Sequence, residues 1–308
     1  PKQLRLVRGA GLNRALSLSG LRLVGDDLAG EVTAAAAAAF VEAAAAHLAA
    51  GRADHILIED LDAGSPLCDA IWAASSAGHL RCYRPRPIAP HWSLELPEPP
   101  KAYWQKWNSR SRYKLRSKLK RLENELVVIT RMDQVGQFLS LAHVVSQKSW
   151  QGRRLGVRIA DRPAERGRLE AWARIGALRS YVLCHRETPI AFLRGALWNG
   201  RFIHDEIGYD TAFARHAPGT MLLLRVLDDL IALDRPMVID FGAGDAAYKR
   251  QFGTRQSASG QIILTRDGIR PTLALGLHRA HTWASHRARA GLRKSGLYEV
   301  ARRRYRRS

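Results

Sequence analysis

Three strand-like segments with tight links, followed by an apolar helix and a further strand, constrain the fold of this chain most. The segments span 178–184, 189–197 and 201–208. The links at 185–188 and at Asn199-Gly200 are typical of β-hairpins. A strongly apolar helix is predicted over 218–233 and a buried-type strand over 237–240. Hairpins that lead into a crossover helix predict an α/β (mixed α+β) fold whose mixed sheet has flanking helices, and they exclude a Rossmann-type succession.

A proline-rich segment divides the chain. Residues 84–100 hold six prolines, which break any helix there. Before this segment, strands are predicted at 17–24 and 54–59, and helices are predicted to begin after Thr33 and Ser65. These elements indicate a small α/β domain. We therefore predict an N-terminal domain over 1–97, a second domain over 98–270 and a basic helical tail over 271–308.

Positive charge is concentrated in two segments. The chain holds 49 Lys and Arg against 28 Asp and Glu, a net charge of +21. Residues 101–125 contain nine basic and two acidic residues, and residues 271–308 contain ten basic and one acidic. Such clustered charge attracts polyanions such as nucleic acid, anionic lipid or an acidic carrier protein. The alternative is that an Arg-rich and Ala-rich composition reflects GC-rich coding.

The first basic segment is predicted to be one long helix over 101–125. It carries an apolar stripe at helical spacing, formed by Tyr103, Trp107, Leu115, Leu119 and Leu122. Arg112, Arg116 and Lys120 recur every four residues and would therefore lie along one face. We predict that these three bind an anionic macromolecule. The alternative is a solvated helix whose charges contact nothing.

The sequence also bears on compartment. It contains no run of 18 apolar residues, so no transmembrane segment is predicted. The first residues are not followed by the apolar stretch that a signal peptide contains, so no signal peptide is predicted. Cys68, Cys82 and Cys184 show no CxxC spacing, which favours a reducing compartment over a disulfide framework. We therefore expect a cytoplasmic protein, with peripheral membrane contact through the basic tail as one option.

The loop before the apolar helix is a candidate phosphate-binding site. Gly219 would let a ligand approach the backbone, and the free N–H groups of the first helical turn bind phosphate oxygens. Arg215 adds a formal charge three residues before Pro218. The alternative is a helix that merely begins at Pro218-Gly219.

Two further clusters carry polar side chains. Asp240, Asp245, Tyr248 and Lys249 follow the end of a buried strand, where polar residues line a cleft more often than a core. The segment His204-Asp205-Glu206 interrupts the strand 201–208. Alternation predicts that His204 and Glu206 share one face and that Asp205 lies on the other. No third ligand has regular spacing with these residues, so no metal is expected, and His204 could instead be a hydrogen-bonded core histidine.

Taken in order, these motifs resemble a known family. The stretch from 101 to 261 is similar to the acyltransferase domain of CelD/BioF2-like proteins, on the FemAB-related branch of the GNAT superfamily. Residues 1–95 resemble the degenerate first half of such proteins, which implies tandem GNAT-like halves. The matching residues are Ser109, Arg112, Leu115, Arg116, Lys120-Arg121-Leu122, Ser149-Trp150-Gln151-Gly152, Pro189-Ile190-Ala191-Phe192, Gly208-Tyr209-Asp210, Phe213-Ala214, Pro218-Gly219-Thr220, Asp240-Phe241-Gly242, Gly244-Asp245, Tyr248-Lys249 and Phe252-Gly253.

The resemblance implies a donor that binds across two splayed strands, here 201–208 and 236–240, and an amine that attacks it. The donor would be acyl-CoA (acetyl-CoA) or the thioester of an acyl carrier protein. Pro218 replaces the first glycine of the family's phosphate loop and removes one N–H group. An acyl carrier protein or a charged tRNA would therefore be an alternative donor, and either would account for the basic segments.

The resemblance also implies roles for particular residues. Glu206 or His204 would be the base and Tyr248 the acid, and Asp245 would orient the nucleophile or act as base instead. Donor-binding residues are Arg215, Gly219, Thr220, Ile207 and Gly208. Substrate-binding residues are Trp150, Asp240 and Lys249. Trp150 could instead be a core residue, and Lys249 could form a structural ion pair with one of the two aspartates.

Three functions therefore remain open. The first is an N-acyltransferase that moves an acyl group from a thioester to an amine. The second is a FemAB-like transferase that takes its group from aminoacyl-tRNA. The third is a binding module for nucleic acid or a membrane surface, although such a module needs no cluster like the one at 240–253.

Overall fold

The computed structural model describes residues 2–4, 18–24, 33–156 and 158–294. Two compact units are present: Pro1–Ala89 together with Ala258–Ser308, and Pro90–Ser257. The limits of these units do not coincide with the predicted domain boundaries after residues 97 and 270. The division into domains stays a prediction. Within the described ranges, no helix combines the length and apolar character needed to cross a membrane.

From residue 178 to residue 243, three strands, an apolar helix and a further strand follow one another in the order that the sequence pattern predicts. The strands are β1 (Lys2–Leu4), β2 (Leu18–Val24), β3 (His55–Asp62), β4 (Arg81–Tyr83), β5 (Ala89–Glu95), β6 (Glu125–Ile129), β7 (Ser180–His185), β8 (Thr188–Trp198), β9 (Arg201–Tyr209), β10 (Val238–Ala243) and β11 (Arg255–Thr265). The helices are α1 (Ala34–Ala49), α2 (Pro66–Ser76), α3 (Ser109–Arg116), α4 (Val135–Lys148), α5 (Trp150–Leu155), α6 (Pro163–Arg174), α7 (Pro218–Asp229), α8 (Ala247–Phe252) and α9 (Ile269–Lys294).

The first unit is a small α/β layer. Strand β2 pairs with β1 in antiparallel and with β3 in parallel orientation, and β11 pairs with β3 and β4 in antiparallel orientation. Thr33 and Ser65 cap α1 and α2 as predicted, since their side chains accept hydrogen bonds from the N–H groups of Ala36 and Cys68. Both helices bury their apolar faces in one cluster with β3 and β11.

The second unit contains the mixed sheet. Its strand order is β5-β10-β9-β8-β7-β6, and only β9 and β10 pair in parallel. The two predicted hairpin links are confirmed. Arg186, Glu187, Asn199 and Gly200 all have positive φ angles between 45° and 72°, which suits the tight turns that match the twist of paired strands. The predicted mixed sheet with flanking helices is therefore confirmed.

Apolar helices cover this sheet on both faces. The buried side chains of α7 include Met221, Leu222, Leu223, Leu224, Val226 and Leu227. They form one cluster with Leu193, Phe202 and Ile239. A second cluster contains Phe138 of α4 and Phe192 of β8. Because consecutive residues of a strand point to opposite faces, Leu193 and Phe192 place the two clusters on opposite sides of the sheet.

The long basic helix predicted over 101–125 is wrong. The structure shows a 3-10 helix at Pro100–Lys106, then α3, and then a 3-10 turn at Ser117–Lys120. The break lies at Asn108, whose backbone is extended and whose side chain accepts a hydrogen bond from the N–H of Ser111. An asparagine in this position begins a new helix rather than continuing the old one. Lys120 therefore lies outside the α-helix that carries Arg112 and Arg116.

Candidate active site

Strands β9 and β10 separate after a short stretch of parallel pairing. The paired residues are Val238 with Arg201, Ile239 with Phe202, and Asp240 with Ile203. Beyond Asp240, β10 pairs with β5 through Gly242 and Ala243, while β9 continues to Tyr209 paired with β8. The predicted divergence of the two strands at their C-terminal ends is confirmed. It leaves one edge of β9 beyond Ile203 without a strand partner in the described part of the chain.

A β-bulge in β9 divides the His204-Asp205-Glu206 segment. Arg194 of β8 lies opposite Glu206 and its neighbour Gly195 lies opposite His204, so Asp205 is the extra residue. Both carboxylates therefore contact Arg194. Asp205 Oδ2 lies 2.5 Å from Arg194 Nε, and Glu206 Oε2 lies 2.9 Å from Arg194 Nη2. The expectation that His204 and Glu206 share a face opposite Asp205 is wrong, because simple alternation fails across a bulge.

Glu206 sits in a partly buried ion network. The guanidinium of Arg194 contacts three carboxylates, those of Glu165, Asp205 and Glu206. Arg168 adds a second positive charge, 3.5 Å from Asp205. Burial raises the pKa of Glu206, and the positive charge of Arg194 only partly offsets this effect. A carboxylate with a raised pKa is a stronger proton acceptor than an exposed one.

Residues of α5 lie beside Glu206 on β9. Gln151 Nε2 donates a hydrogen bond of 3.3 Å to the carbonyl oxygen of Ile207. Trp150 precedes it and is 53% exposed, so the alternative of a core residue is wrong. Ser149 caps this helix through its hydroxyl, which accepts from the N–H of Gly152. The motif therefore attaches α5 to β9 one residue after Glu206 and leaves the Trp150 ring exposed.

His204 points away from this network. Its ring centroid lies 5.7 Å from that of Tyr248 and 5.8 Å from that of Phe241. The ring is buried, and among the described residues its Nε2 has no hydrogen-bond partner. Burial lowers the pKa of His204 to about 4, so the ring is neutral at pH 7. A buried polar atom without a protein partner is uncommon and is a position where a ligand or water could bind.

Tyr248 is held in its protonated form. It lies in the first turn of α8, directly after the glycine-rich turn that follows β10. Burial raises the pKa of its hydroxyl to about 12. At neutral pH the group is therefore a donor of hydrogen bonds, as a tyrosine acid must be.

Asp240 fixes the point where the strands separate. Its carboxylate accepts hydrogen bonds from His91 Nε2 at 2.7 Å, from Arg201 Nη1 at 2.9 Å and from the N–H of Gly242 at 2.7 Å. Burial alone would raise the pKa of Asp240, but the hydrogen bond and charge of His91 together with these other contacts hold it below its usual range. These contacts occupy the carboxylate that the sequence assigned to substrate binding. His91 lies in the proline-rich segment, where no chemistry was predicted.

Lys249 and Asp245 flank the glycine-rich turn. Lys249 Nζ donates to the carbonyl oxygens of Gly242 at 3.0 Å and Ala243 at 2.7 Å. Asp245 is exposed and pairs with Arg250 at 2.5 Å. The lysine therefore holds the backbone of the turn, whereas the aspartate lies at the surface.

The start of α7 gathers positive charge but offers few free N–H groups. Pro218 has no N–H, and the N–H groups of Thr220 and Met221 both donate to the carbonyl oxygen of Ala217. Gly219 packs so closely on the Tyr209 ring that an added Cβ would lie 3.2 Å from it.

Two arginines meet at this helix start. Arg121 Nη1 donates to the carbonyl oxygen of Arg215 at 3.4 Å, and Arg215 Nε donates to His216 Nε2 at 2.9 Å. Sequence reasoning included Arg121 in the family resemblance but did not place it at this site, because only the packing of the basic segment on α7 brings it there. Positive side chains fit the phosphates of a donor, but the backbone contributes less than a glycine-rich loop would.

The three predicted polyanion-binding residues are not equivalent. Arg116 forms a bidentate pair with Asp228, and its guanidinium lies 4.0 Å from the centroid of the Trp104 ring. Lys120 is exposed, whereas Arg112 is only partly exposed. Arg116 therefore holds the basic segment on α7, and of the three only Lys120 is fully presented to solvent. No cluster of His, Cys, Asp and Glu within the described ranges is arranged to hold a metal ion.

The comparisons with known proteins agree with this architecture. Residues 109–250 match the acetyltransferase (GNAT) domain family. No curated protein matches the sequence. Among solved structures, FemX is 11% identical, with a TM-score of 0.57 and 80% of each chain covered. The C-terminal domain (DUF2156) of a candidate lysylphosphatidylglycerol synthetase from Agrobacterium fabrum is 16% identical, with a TM-score of 0.51 and coverage of 80% of this chain and 77% of that one.

At such identities the structural similarities establish the fold alone. The narrower CelD/BioF2-like group stays a prediction, and so do the roles of the site residues. The family match and the divergent strands of the mixed sheet nevertheless agree over the same part of the chain. Residues 109–250 therefore resemble an acetyltransferase (GNAT) domain in sequence, and the chain shares the fold of FemX and of the synthetase domain.

Proposed function

We propose that the protein is an N-acyltransferase that moves an acyl group from a thioester donor to an amine at the divergence of β9 and β10. The observation that carries this proposal is the open edge of β9 beyond Ile203, flanked by His204 and the protonated Tyr248. An open strand edge offers backbone N–H groups that can hold the acyl group and polarise its carbonyl. We assign this part to the segment Ile207-Gly208.

The bulge at Asp205 separates two tasks in this proposal. On one side of β9, Glu206 accepts the proton of the attacking amine, with Trp150 and Gln151 beside it to bind the acceptor. On the other side, Tyr248 faces the leaving group and His204 positions its ring. The amine nitrogen forms the new C–N bond and the C–S bond breaks. The sulfur leaves as a thiolate that the Tyr248 hydroxyl stabilises by a hydrogen bond, and Glu206 passes its proton to solvent.

The donor is proposed to be acyl-CoA, with acetyl-CoA as the simplest case. Arg215 and Arg121 would bind its phosphates at the start of α7, next to the N–H of Gly219. When bound, the donor supplies the activated acyl group. A cytoplasmic location would provide this donor and fits the three free thiols.

Arg215→Ala is expected to raise the KM for the donor about tenfold, because a charge-assisted contact to phosphate is lost. Steady-state kinetics with acetyl-CoA measure this effect, and Arg153→Ala, at an exposed position of α5, is the control. An unchanged KM would place the donor phosphates elsewhere.

Glu206→Gln is expected to lower kcat and to remove the acidic limb of the pH profile. Because burial raises the pKa of Glu206, the wild-type rate should rise with pH through a midpoint above the ordinary glutamate range, as the carboxylate loses its proton. A profile of kcat/KM against pH tests this directly. If the variant keeps the same acidic limb, another group is the base, and His204 or Asp245 would be next.

A second candidate function is transfer from a macromolecular donor, either an acyl carrier protein or aminoacyl-tRNA as in FemAB-like enzymes. The observation that favours it is the small number of free N–H groups at the start of α7. The carbonyl oxygen of Ala217 accepts hydrogen bonds from two of these groups, and Pro218 has none. The exposed Lys120 and the partly exposed Arg112 add positive charge on the segment that packs against this helix. Mass spectrometry of ligands that copurify with the protein distinguishes the donors. Loss of RNA binding with rising salt would favour the tRNA.

A further inference from the structure

Helix α9 is docked on the first unit by one face only. Ala274 and Leu275 are buried, and Leu275 belongs to a cluster with Leu57, Tyr83 and Ile263. His278, on the same side one turn later, hydrogen-bonds to the Tyr83 hydroxyl through Nδ1. These contacts show which side of the helix packs against the rest of the first unit.

The opposite side of α9 carries large apolar residues in the open. Ile269 is 80% exposed, Leu273 54%, Leu277 42% and Trp283 61%. The first three are four residues apart and form one stripe. Trp283 follows Ile269 by roughly four turns and therefore returns to the same side of the helix. Exposed apolar side chains in a continuous stripe, unlike scattered ones, mark an interaction surface.

The sequence of α9 and of the residues after it is strongly basic. Residues 269–294 contain six Lys and Arg and no Asp or Glu, and residues 295–308 add five Arg and one Glu. The guanidinium of Arg287 lies 4.6 Å from the centroid of the Trp283 ring. A helix with an apolar stripe and only basic charged residues has the composition of helices that lie in a membrane surface.

We infer that α9 binds the surface of a membrane that contains anionic lipid. Ile269, Leu273 and Leu277 insert among the acyl chains at the boundary, and Trp283 lies at the headgroup level where its ring is amphipathic. The arginines contact anionic headgroups. This inference concerns the first unit and is independent of the proposed reaction, which takes place in the second.

Two other occupants of the stripe are less compatible with its chemistry. Nucleic acid would satisfy the arginines but would leave four large apolar side chains in water. A second copy of the helix would bury the stripe but would bring two strongly positive surfaces together, and like charges at an interface oppose association. An anionic membrane matches both the apolar stripe and the charge.

The full chain should bind vesicles of phosphatidylcholine that contain about one-third phosphatidylglycerol, and should not bind vesicles of phosphatidylcholine alone. The double variant Leu273→Ser/Leu277→Ser should bind the anionic vesicles at least about tenfold more weakly, because less apolar surface enters the lipid. Vesicle flotation measures both effects. The matched control is Leu233→Ser/Ile175→Ser, which removes two similarly exposed apolar side chains far from α9 in sequence and should bind as the wild type does.

Ile269→Ser keeps the test independent of folding, since this side chain is the most exposed of the stripe and contributes least to the docked face. It should also weaken binding while the circular dichroism of the chain stays unchanged. Three results would overturn the inference. These are equal vesicle binding by the double variant and the wild type, binding of RNA without binding of anionic vesicles, and a dimer in light scattering that the double variant dissociates.

Discussion

Tyr248→Phe is expected to lower kcat by about a hundredfold or more while the fold and the donor KM stay nearly unchanged. The phenylalanine keeps the ring that packs on His204 and Phe241 and loses only the hydroxyl. Because burial holds the pKa of this hydroxyl at about 12, the group is protonated over the whole working range. Its loss should therefore lower the rate by a similar factor at every pH between 6 and 9, which a pH series of kcat measures.

The control for this variant is Tyr113→Phe, which removes a hydroxyl from an exposed tyrosine on the basic segment. It should leave kcat unchanged. A Tyr248→Phe enzyme with nearly full activity would show that the leaving group is stabilised by another residue, and would contradict the proposed division of tasks across β9. A rise in KM alone would make Tyr248 a binding residue.

Gly152→Ala is expected to destabilise the protein severely, by about 3 kcal/mol or more. A Cβ atom at this position would overlap the carbonyl oxygen of Ser146 and would lie 3.3 Å from that of Gln147. The Ser146 oxygen cannot move freely, because the Ser149 hydroxyl donates a hydrogen bond of 2.8 Å to it. The glycine thus allows α5 to begin directly against the end of α4. Thermal or urea unfolding measures the loss.

Gly167→Ala is the matched comparison. This glycine lies inside α6, and an added Cβ would meet no atom within 4 Å. Alanine has the higher helix propensity, so this variant should be slightly more stable than the wild type, by up to about 1 kcal/mol. Equal stability of the two variants would show that α4 and α5 can separate without cost, and that the close contact at Gly152 is not required.

Local patterns predicted the hairpins and helix α7 of the second unit, but not the helix break at Asn108. The hairpin at Asn199-Gly200 follows from the preference of both residues for positive φ, and α7 follows from its apolar composition. The divergence of β9 and β10 followed from strand order together with the family resemblance. The hairpin and the helix depend on residues that are close in sequence. The divergence of the strands depends on the order of elements in the family that the chain resembles.

The break at Asn108 depends on a local cap, whereas the other errors and omissions depend on distant partners. The bulge at Asp205 arises from the register of β9 against β8, which no alternation within β9 reveals. The pair of His91 with Asp240 joins residues 149 positions apart. Arg121 reaches the start of α7 only because Arg116 binds Asp228 and holds the basic segment against that helix. In each case a side chain found its partner through tertiary packing, which a single sequence does not show.

The contacts of Asp240 imply that the opening between β9 and β10 exists before any ligand arrives. The carboxylate accepts a hydrogen bond from the N–H of Gly242, where the register of β10 against β5 shifts, and it binds Arg201 of β9 at the first of the three paired positions. The two strands therefore cannot close into a longer ladder while these hydrogen bonds last. A donor that enters such a preorganised cleft loses no binding free energy to strand separation, so the free and occupied proteins should share one sheet geometry.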